Sequence, residues 1–165
     1  NKKKIQLSEN YLKAKTYIEL GNVNKGKNIL KEIIYSNDKT YSTLSLFLIL
    51  DNNLVNEKDL ILSLFDHLLS NNKFDKELKN LIIFKLALFE SNFVNEYDLL
   101  ETIKPLISSE TIWKPHALLL VGDFFTSKKQ YKKAREFYEK LLSLKDISPR
   151  FYEQARSQLT LNSNE

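Results

Sequence analysis

The run from Gly21 to Asn28 is the segment whose spacing comes closest to a known binding chemistry. It reads GxxxxGK and ends in Asn28, where a phosphate-binding loop needs serine or threonine to hold magnesium. Such a loop follows a β-strand, whereas the apolar periodicity of Tyr11–Leu20 predicts a helix at that place. We therefore expect Gly21 to form a turn and Gly26 to allow a close helix contact, and we predict no nucleotide site.

The two histidines, His67 and His116, are the next residues that could do chemistry. They lie far apart in a chain without cysteine, so a zinc site would have to recruit carboxylates from distant segments. Asp66 beside His67 does not make a catalytic pair, because neighbouring residues of a helix point about 100° apart. We expect His67 on a helix surface and His116 in the first turn of a helix. The sequence thus predicts no catalytic residue, no metal and no cofactor, and a protein that is not an enzyme.

Composition indicates that helices must position whatever the chain binds. It has 165 residues, of which 42% are hydrophobic, with only three glycines and three prolines for tight turns. The net charge of +4 comes from interspersed signs. The one basic stretch, residues 128–135, is followed by Glu136 and Glu139, as expected of a solvated helix face, so we do not expect nucleic acid to bind there. No stretch approaches the roughly 18 apolar residues that a membrane span requires.

A short phrase recurs along the chain and marks helix starts. Val55–Ile61 and Val94–Leu100 are near copies, with Asn56 and Asn95 at the expected N-cap and acidic residues in the first turn. Weaker versions begin at positions 23 and 131, so the four starts at 23, 55, 94 and 131 are 32, 39 and 37 residues apart. Periods of this length are typical of stacked helix pairs.

Apolar periodicity and breakers predict nine helices and no sheet. We expect a single repeat domain over residues 1–165, an all-α solenoid of four antiparallel pairs at about 5–36, 40–70, 75–104 and 115–144, closed by a capping helix at 149–161. Pro105 is expected to end the sixth helix and Pro115 to begin the seventh. Ser148 is expected to cap the last helix, with Pro149 in its first position. That helix is expected to cover the Tyr131–Leu144 helix as a lid, without contributing to a groove.

The last pair resembles a tetratricopeptide repeat. Counted from Pro115, the small and packing positions of this 34-residue unit are filled by Gly122, Phe125, Ala134, Tyr138 and Leu141. The first pair fits as well, through Ala14, Tyr17, Gly21, Gly26, Leu30 and Ile33. The two middle pairs are degenerate, with no small residue in register. The register assigns Tyr17, Phe125 and Tyr138 to the core and leaves open whether Trp113 packs in the core or binds a partner.

The resemblance implies a groove lined by the first helix of each pair. In the two clear repeats its positions are Tyr11, Lys15, His116, Leu119 and Asp123. These five residues are the predicted partner-binding site.

Over most of its length the chain also resembles the bacterial YfgM-like tetratricopeptide domain, an ancillary subunit of the SecYEG translocon. Three features carry this resemblance: Tyr11–Leu20 running into Gly21-Asn22, the break at Ile103–Leu106 before Trp113–Ala117, and the Asp146–Pro149 turn into a helix containing Ala155. The resemblance implies a periplasmic domain at the bacterial inner membrane, anchored by an N-terminal transmembrane helix before Asn1. Its implied partners are translocon subunits, the periplasmic chaperone PpiD or emerging chains.

The alternative functions are a helical-repeat nucleic-acid-binding protein, favoured by the pI of about 9.0, and a tetratricopeptide adaptor in another complex. The alternative location is the cytoplasm. A nucleic-acid binder of this kind repeats basic or stacking side chains in each unit. The groove positions, Asp123 among them, do not repeat that chemistry.

Overall fold

A computed structural model describes residues 1–163, which form nine α-helices and no strand, as predicted. The helices are α1 (Lys2–Glu19), α2 (Val23–Tyr35), α3 (Lys39–Asp51), α4 (Lys58–Ser70), α5 (Lys76–Glu90), α6 (Glu96–Ile107), α7 (Lys114–Ser127), α8 (Tyr131–Leu142) and α9 (Pro149–Asn162). None of these helices is both long and apolar enough to cross a membrane. The predicted all-α class is confirmed.

The chain divides into two compact units, Asn1–Asp75 and Lys76–Glu165. The N-terminal unit contains α1 to α4 and the C-terminal unit contains α5 to α9. The prediction of one repeat domain over the whole chain stays a prediction.

The first helix pair of the N-terminal unit packs through small residues. A Cβ atom on Gly26 of α2 would lie 2.6 Å from Ile18 Cγ1 and 2.9 Å from the carbonyl oxygen of Ala14, both on α1. Only glycine fits at this contact, because real Cβ atoms do not come so close. Gly21 forms the preceding turn at φ +84°, a conformation that glycine adopts without strain. Both predicted roles of these glycines are confirmed.

The pair formed by α7 and α8 repeats this arrangement in the C-terminal unit. A Cβ atom on Gly122 would lie 2.5 Å from Cε1 of Tyr138, whose ring is fully buried. The ring therefore packs directly on the backbone of α7. Phe125 is also buried, so Tyr138 and Phe125 belong to the core as predicted. Tyr17, predicted to be buried, is only half-buried, because it lies near the surface with the ammonium groups of Lys13 and Lys25 over its ring.

Two predicted helix boundaries are wrong, the start of α4 and the end of α6. The N-cap of α4 is Glu57 and not Asn56: the buried side chains of Leu54 and Val55 hold the preceding segment in the core, and the helix begins only at Lys58. The N-cap of α6, in contrast, is Asn95, whose side chain accepts a hydrogen bond from the Asp98 amide at 2.9 Å.

Pro105 does not end α6, which continues to Ile107. The missing proline N–H leaves only the carbonyl of Glu101 without its helical donor. Glu101 is exposed, so water can satisfy that carbonyl, while burial of Leu106 favours another half-turn of helix. Pro115 and Pro149 lie at helix starts as predicted. Ser148 occupies the N-cap position of α9, but its side chain makes no capping hydrogen bond.

Candidate partner-binding site

The predicted groove residues of the N-terminal unit lie side by side on α1. Tyr11 is half-buried, with its ring centroid 6.1 Å from that of Tyr41 on α3. The exposed Lys15 holds its Nζ 5.9 Å from the Tyr11 ring centroid. Burial raises the pKa of the Tyr11 hydroxyl, and the carboxylate of Asp51 adds to this. This part of the predicted groove is therefore a neutral phenol beside an exposed cation.

In the C-terminal unit, Leu119 and Asp123 of α7 line a pocket of about 270 Å³. The opposite wall belongs to α9 and consists of Gln154, Ser157, Gln158 and Leu161. The prediction that α9 contributes nothing to a groove is wrong. A helix that packs against α8 at the end of the array also lies beside α7, as a further first helix of a pair would.

The carboxylate of Asp123 is held in place by a chain of hydrogen bonds that starts on α9. Asn162 Nδ2 donates to Thr126 Oγ1 at 3.0 Å, and Thr126 Oγ1 lies 2.9 Å from the Tyr138 hydroxyl. The Tyr138 hydroxyl donates to Asp123 Oδ1 at 2.7 Å, and Gln158 Nε2 approaches the same oxygen at 3.4 Å. Burial, together with the hydrogen bond and negative charge of Asp123, raises the pKa of Tyr138 well above its ordinary value, so the phenol remains a donor at neutral pH.

His116, the fifth predicted residue, is half-buried in an aromatic cluster. Its ring centroid lies 4.7 Å from those of Trp113 and Phe151 and 5.5 Å from that of Phe84. Burial lowers the pKa of the imidazole, and the nearby Arg150 lowers it further. A neutral, enclosed imidazole joins α5, α7 and α9 as a packing element, and it offers less surface to a partner than the exposed Asp123.

Trp113, left open by the sequence, has a structural role. Its indole Nε1 donates to the carbonyl of Glu77 at 3.2 Å. The side chain of Glu77 accepts from the Thr111 hydroxyl at 2.7 Å and from the Ile112 amide at 2.8 Å. The start of α5 thus fixes the loop before α7. No local sequence signal marks this contact, because the partners are more than thirty residues apart in the chain.

The remaining candidates for chemistry also have structural partners. His67 Nε2 lies 2.7 Å from Asn37 Oδ1, and its ring packs edge-on against Tyr35. His67, predicted to lie on a helix surface, is half-buried, and these contacts hold the turn after α2 in place. Within residues 1–163, no group of three or more histidine, aspartate or glutamate side chains is placed to hold a metal ion.

The basic stretch at residues 128–135, which covers the turn before α8 and its first residues, is partly occupied by contacts within the C-terminal unit. Lys133 pairs with Glu96 at 2.9 Å, and Arg135 donates to the carbonyl of Asn162 at 3.1 Å. Lys129 and Lys132 are exposed. The face is thus a mixture of paired and solvated charges, in keeping with its alternating sequence.

Two segments of the chain, residues 10–40 and 115–147, match the family model of the tetratricopeptide repeat. They coincide with the first pair and the α7–α8 pair, the two that fit the repeat in the sequence, and the middle pairs lie mostly outside them. No curated protein and no solved structure matched the chain in the corresponding comparisons. With two such repeats among its helices, the fold is all-α and tetratricopeptide-like.

Proposed function

We propose that the chain is a non-catalytic scaffold that binds other proteins through the first helices of its two tetratricopeptide repeats. The observation that carries this proposal is that each matched repeat leaves the same groove position exposed and charged, Lys15 in one and Asp123 in the other. Within each unit, a helix pair of this kind presents such a position on its surface, which suits a polypeptide better than a small molecule.

At a finer level we propose a periplasmic location and a translocon-associated role of the YfgM type. Support comes from the order and spacing of the sequence features around Gly21, Pro105 and Pro149 that resemble that group. In this proposal an N-terminal anchor precedes Asn1, and the partners are translocon subunits, the chaperone PpiD or emerging chains.

Binding of the purified chain to purified SecYEG in nanodiscs, and to the purified chaperone, tests both levels. Two groove variants, Lys15→Glu and Asp123→Lys, should weaken the binding of a true partner. Lys132→Glu and Glu139→Lys make the same charge changes at exposed sites of α8 and should leave it unchanged.

If neither partner binds, the translocon role is wrong. If a partner binds equally well to all four variants, the groove is not the binding surface. Retention of the chain on heparin at moderate salt, lost in Lys132→Glu, would instead favour the nucleic-acid alternative.

A further inference from the structure

The pocket between α7 and α9 has an unusual charge for a protein whose net charge is +4. Among the described residues that line it, Asp123 is the only ionisable one. The others are two leucines, two glutamines and a serine. The pocket therefore offers one negative charge with apolar and neutral polar walls.

The geometry of Asp123 leaves half of its carboxylate available. Both described donors, the Tyr138 hydroxyl and the Gln158 amide, approach Oδ1. Within residues 1–163 no hydrogen bond reaches Oδ2, and the residue is exposed. A carboxylate held by a buried phenol loses less side-chain entropy on binding than a free surface aspartate would.

The cation that follows α7 and one cation on α9 lie over aromatic rings of the same unit. Lys128 Nζ lies over the Phe124 ring at 5.5 Å, and the Arg156 guanidinium lies over the Tyr152 ring at 5.9 Å. No ion pair to Asp123 is present among the described residues. The carboxylate is thus an acceptor that the unit itself leaves without a cation.

The N-terminal unit differs at the equivalent position. The repeat register that aligns Ala14 with Gly122 also aligns Lys15 with Asp123 and Tyr11 with Leu119. A preference for cations would therefore belong to the C-terminal unit and not to the repeat in general.

We infer that the pocket between α7 and α9 binds a lysine or arginine side chain of an extended partner segment. The cationic group pairs with Asp123 Oδ2, and the apolar stem lies between Leu119 and Leu161, as long basic side chains do on apolar surfaces. The amides of Gln154 and Gln158 are placed to bond the partner backbone. This inference rests on the proposed interaction function and adds the chemistry that one part of the groove selects.

Capped pentapeptides with lysine, glutamine or glutamate between two leucines test the inference. Each is titrated into the chain, and the side-chain amide signals of Gln154 and Gln158 are followed by NMR, which both measures affinity and locates the site. The lysine peptide should bind about three- to fivefold more tightly than the glutamine peptide at low salt, the range of an exposed ion pair, and the preference should fade as salt is added.

The Asp123→Asn variant keeps an oxygen for Tyr138 and should lose the preference for lysine. Asp146→Asn is the matched control, because Asp146 is exposed, lies outside the pocket and has φ +56°, which asparagine tolerates. Ser157→Asp adds a second carboxylate to the opposite wall and should raise the affinity for the lysine peptide, which guards against loss of binding through misfolding.

Equal binding of the lysine and glutamine peptides by the wild-type chain would overturn the inference. So would an undiminished lysine preference in Asp123→Asn, or no binding of any peptide to the wild-type chain. None of these results bears on the partner-binding assay with the translocon and chaperone, so the proposed function stands or fails separately.

Discussion

Replacing Gly122 with leucine should destabilise the C-terminal unit, because the ring of Tyr138 already occupies the space beside the α7 backbone. Even a Cβ atom would lie 2.5, 2.8 and 2.9 Å from three ring carbons. The ring has little freedom to move, because it is fully buried and its hydroxyl is bonded to Thr126 and Asp123.

Three contributions set the loss of unfolding free energy expected for Gly122→Leu. Overpacking a core costs about 1–3 kcal/mol. Displacing the ring also weakens the hydroxyl's hydrogen bonds, each contributing roughly 0.5–1.5 kcal/mol. Against these, removing a glycine from a helix interior gains less than about 1 kcal/mol. The net loss should be about 2–4 kcal/mol, and since 1 kcal/mol shifts the melting temperature of a unit this size by roughly 4–8 °C, the midpoint should fall by at least about 8 °C.

Trp113 provides the assay, because it is the only tryptophan and is packed within the C-terminal unit against Phe84. Its fluorescence during urea or thermal unfolding reports on that unit. Gly122→Ala should lose less unfolding free energy than Gly122→Leu. The double variant Gly122→Leu with Tyr138→Leu should lose less unfolding free energy than the sum of the losses of the two single variants, because the clash between the leucine at position 122 and the Tyr138 ring is removed. A melting temperature of Gly122→Leu within a degree of wild type, or strict additivity in the double variant, would refute the repeat register.

Three further predictions concern the same unit. Glu77→Gln should destabilise it at pH 7 by losing an acceptor for the Ile112 amide. Because hydrogen bonds from Thr111 and Ile112 lower the pKa of Glu77, this contribution is present above the ordinary glutamate value of about 4.3 and is lost as the pH falls below it. The urea midpoints of variant and wild type should approach each other as the pH falls through the lowered pKa of Glu77 in the folded state, and a difference that stays constant would contradict this cause. Glu90→Gln should raise the melting temperature at pH 7, because burial raises the pKa of Glu90 and disfavours its charged form. This gain in melting temperature should vanish as the pH drops and Glu90 becomes protonated, and a gain that persisted at low pH would contradict this cause. Removing the residues after Asp146 should uncover the apolar face of α8 and cause self-association, visible by light scattering, and a monomer with unchanged melting temperature would show that α9 is not a cap.

The fold could be predicted from the sequence because its signals are local. Apolar spacing and helix breakers placed all nine helices to within a few residues. The close contacts at Gly26 and Gly122 followed from the repeat register. The errors arose where tertiary packing competes with a local preference. Pro105 stays inside α6 because Leu106 is buried beyond it, and Asn56 does not cap α4 because its neighbours are drawn into the core.

The candidate site was only half predictable, because its two walls carry different kinds of signal. Leu119 and Asp123 occupy named positions of a repeat that the sequence displays. The wall on α9 consists of Gln154, Ser157, Gln158 and Leu161, which are spaced i, i+3, i+4 and i+7 and so share one face of the helix.

That face of α9 is mostly polar, and a polar face at the end of a helical array looks in sequence like ordinary solvated surface. What gives it another role is the adjacent face, where the buried Ala155 and Asn162 and the half-buried Phe151 pack on the α7–α8 pair. The contacts that make α9 a cap are the same contacts that bring its polar face beside Asp123. A terminal helix of this kind therefore closes the core and completes the groove together, and a substitution that loosens the cap should also weaken the pocket.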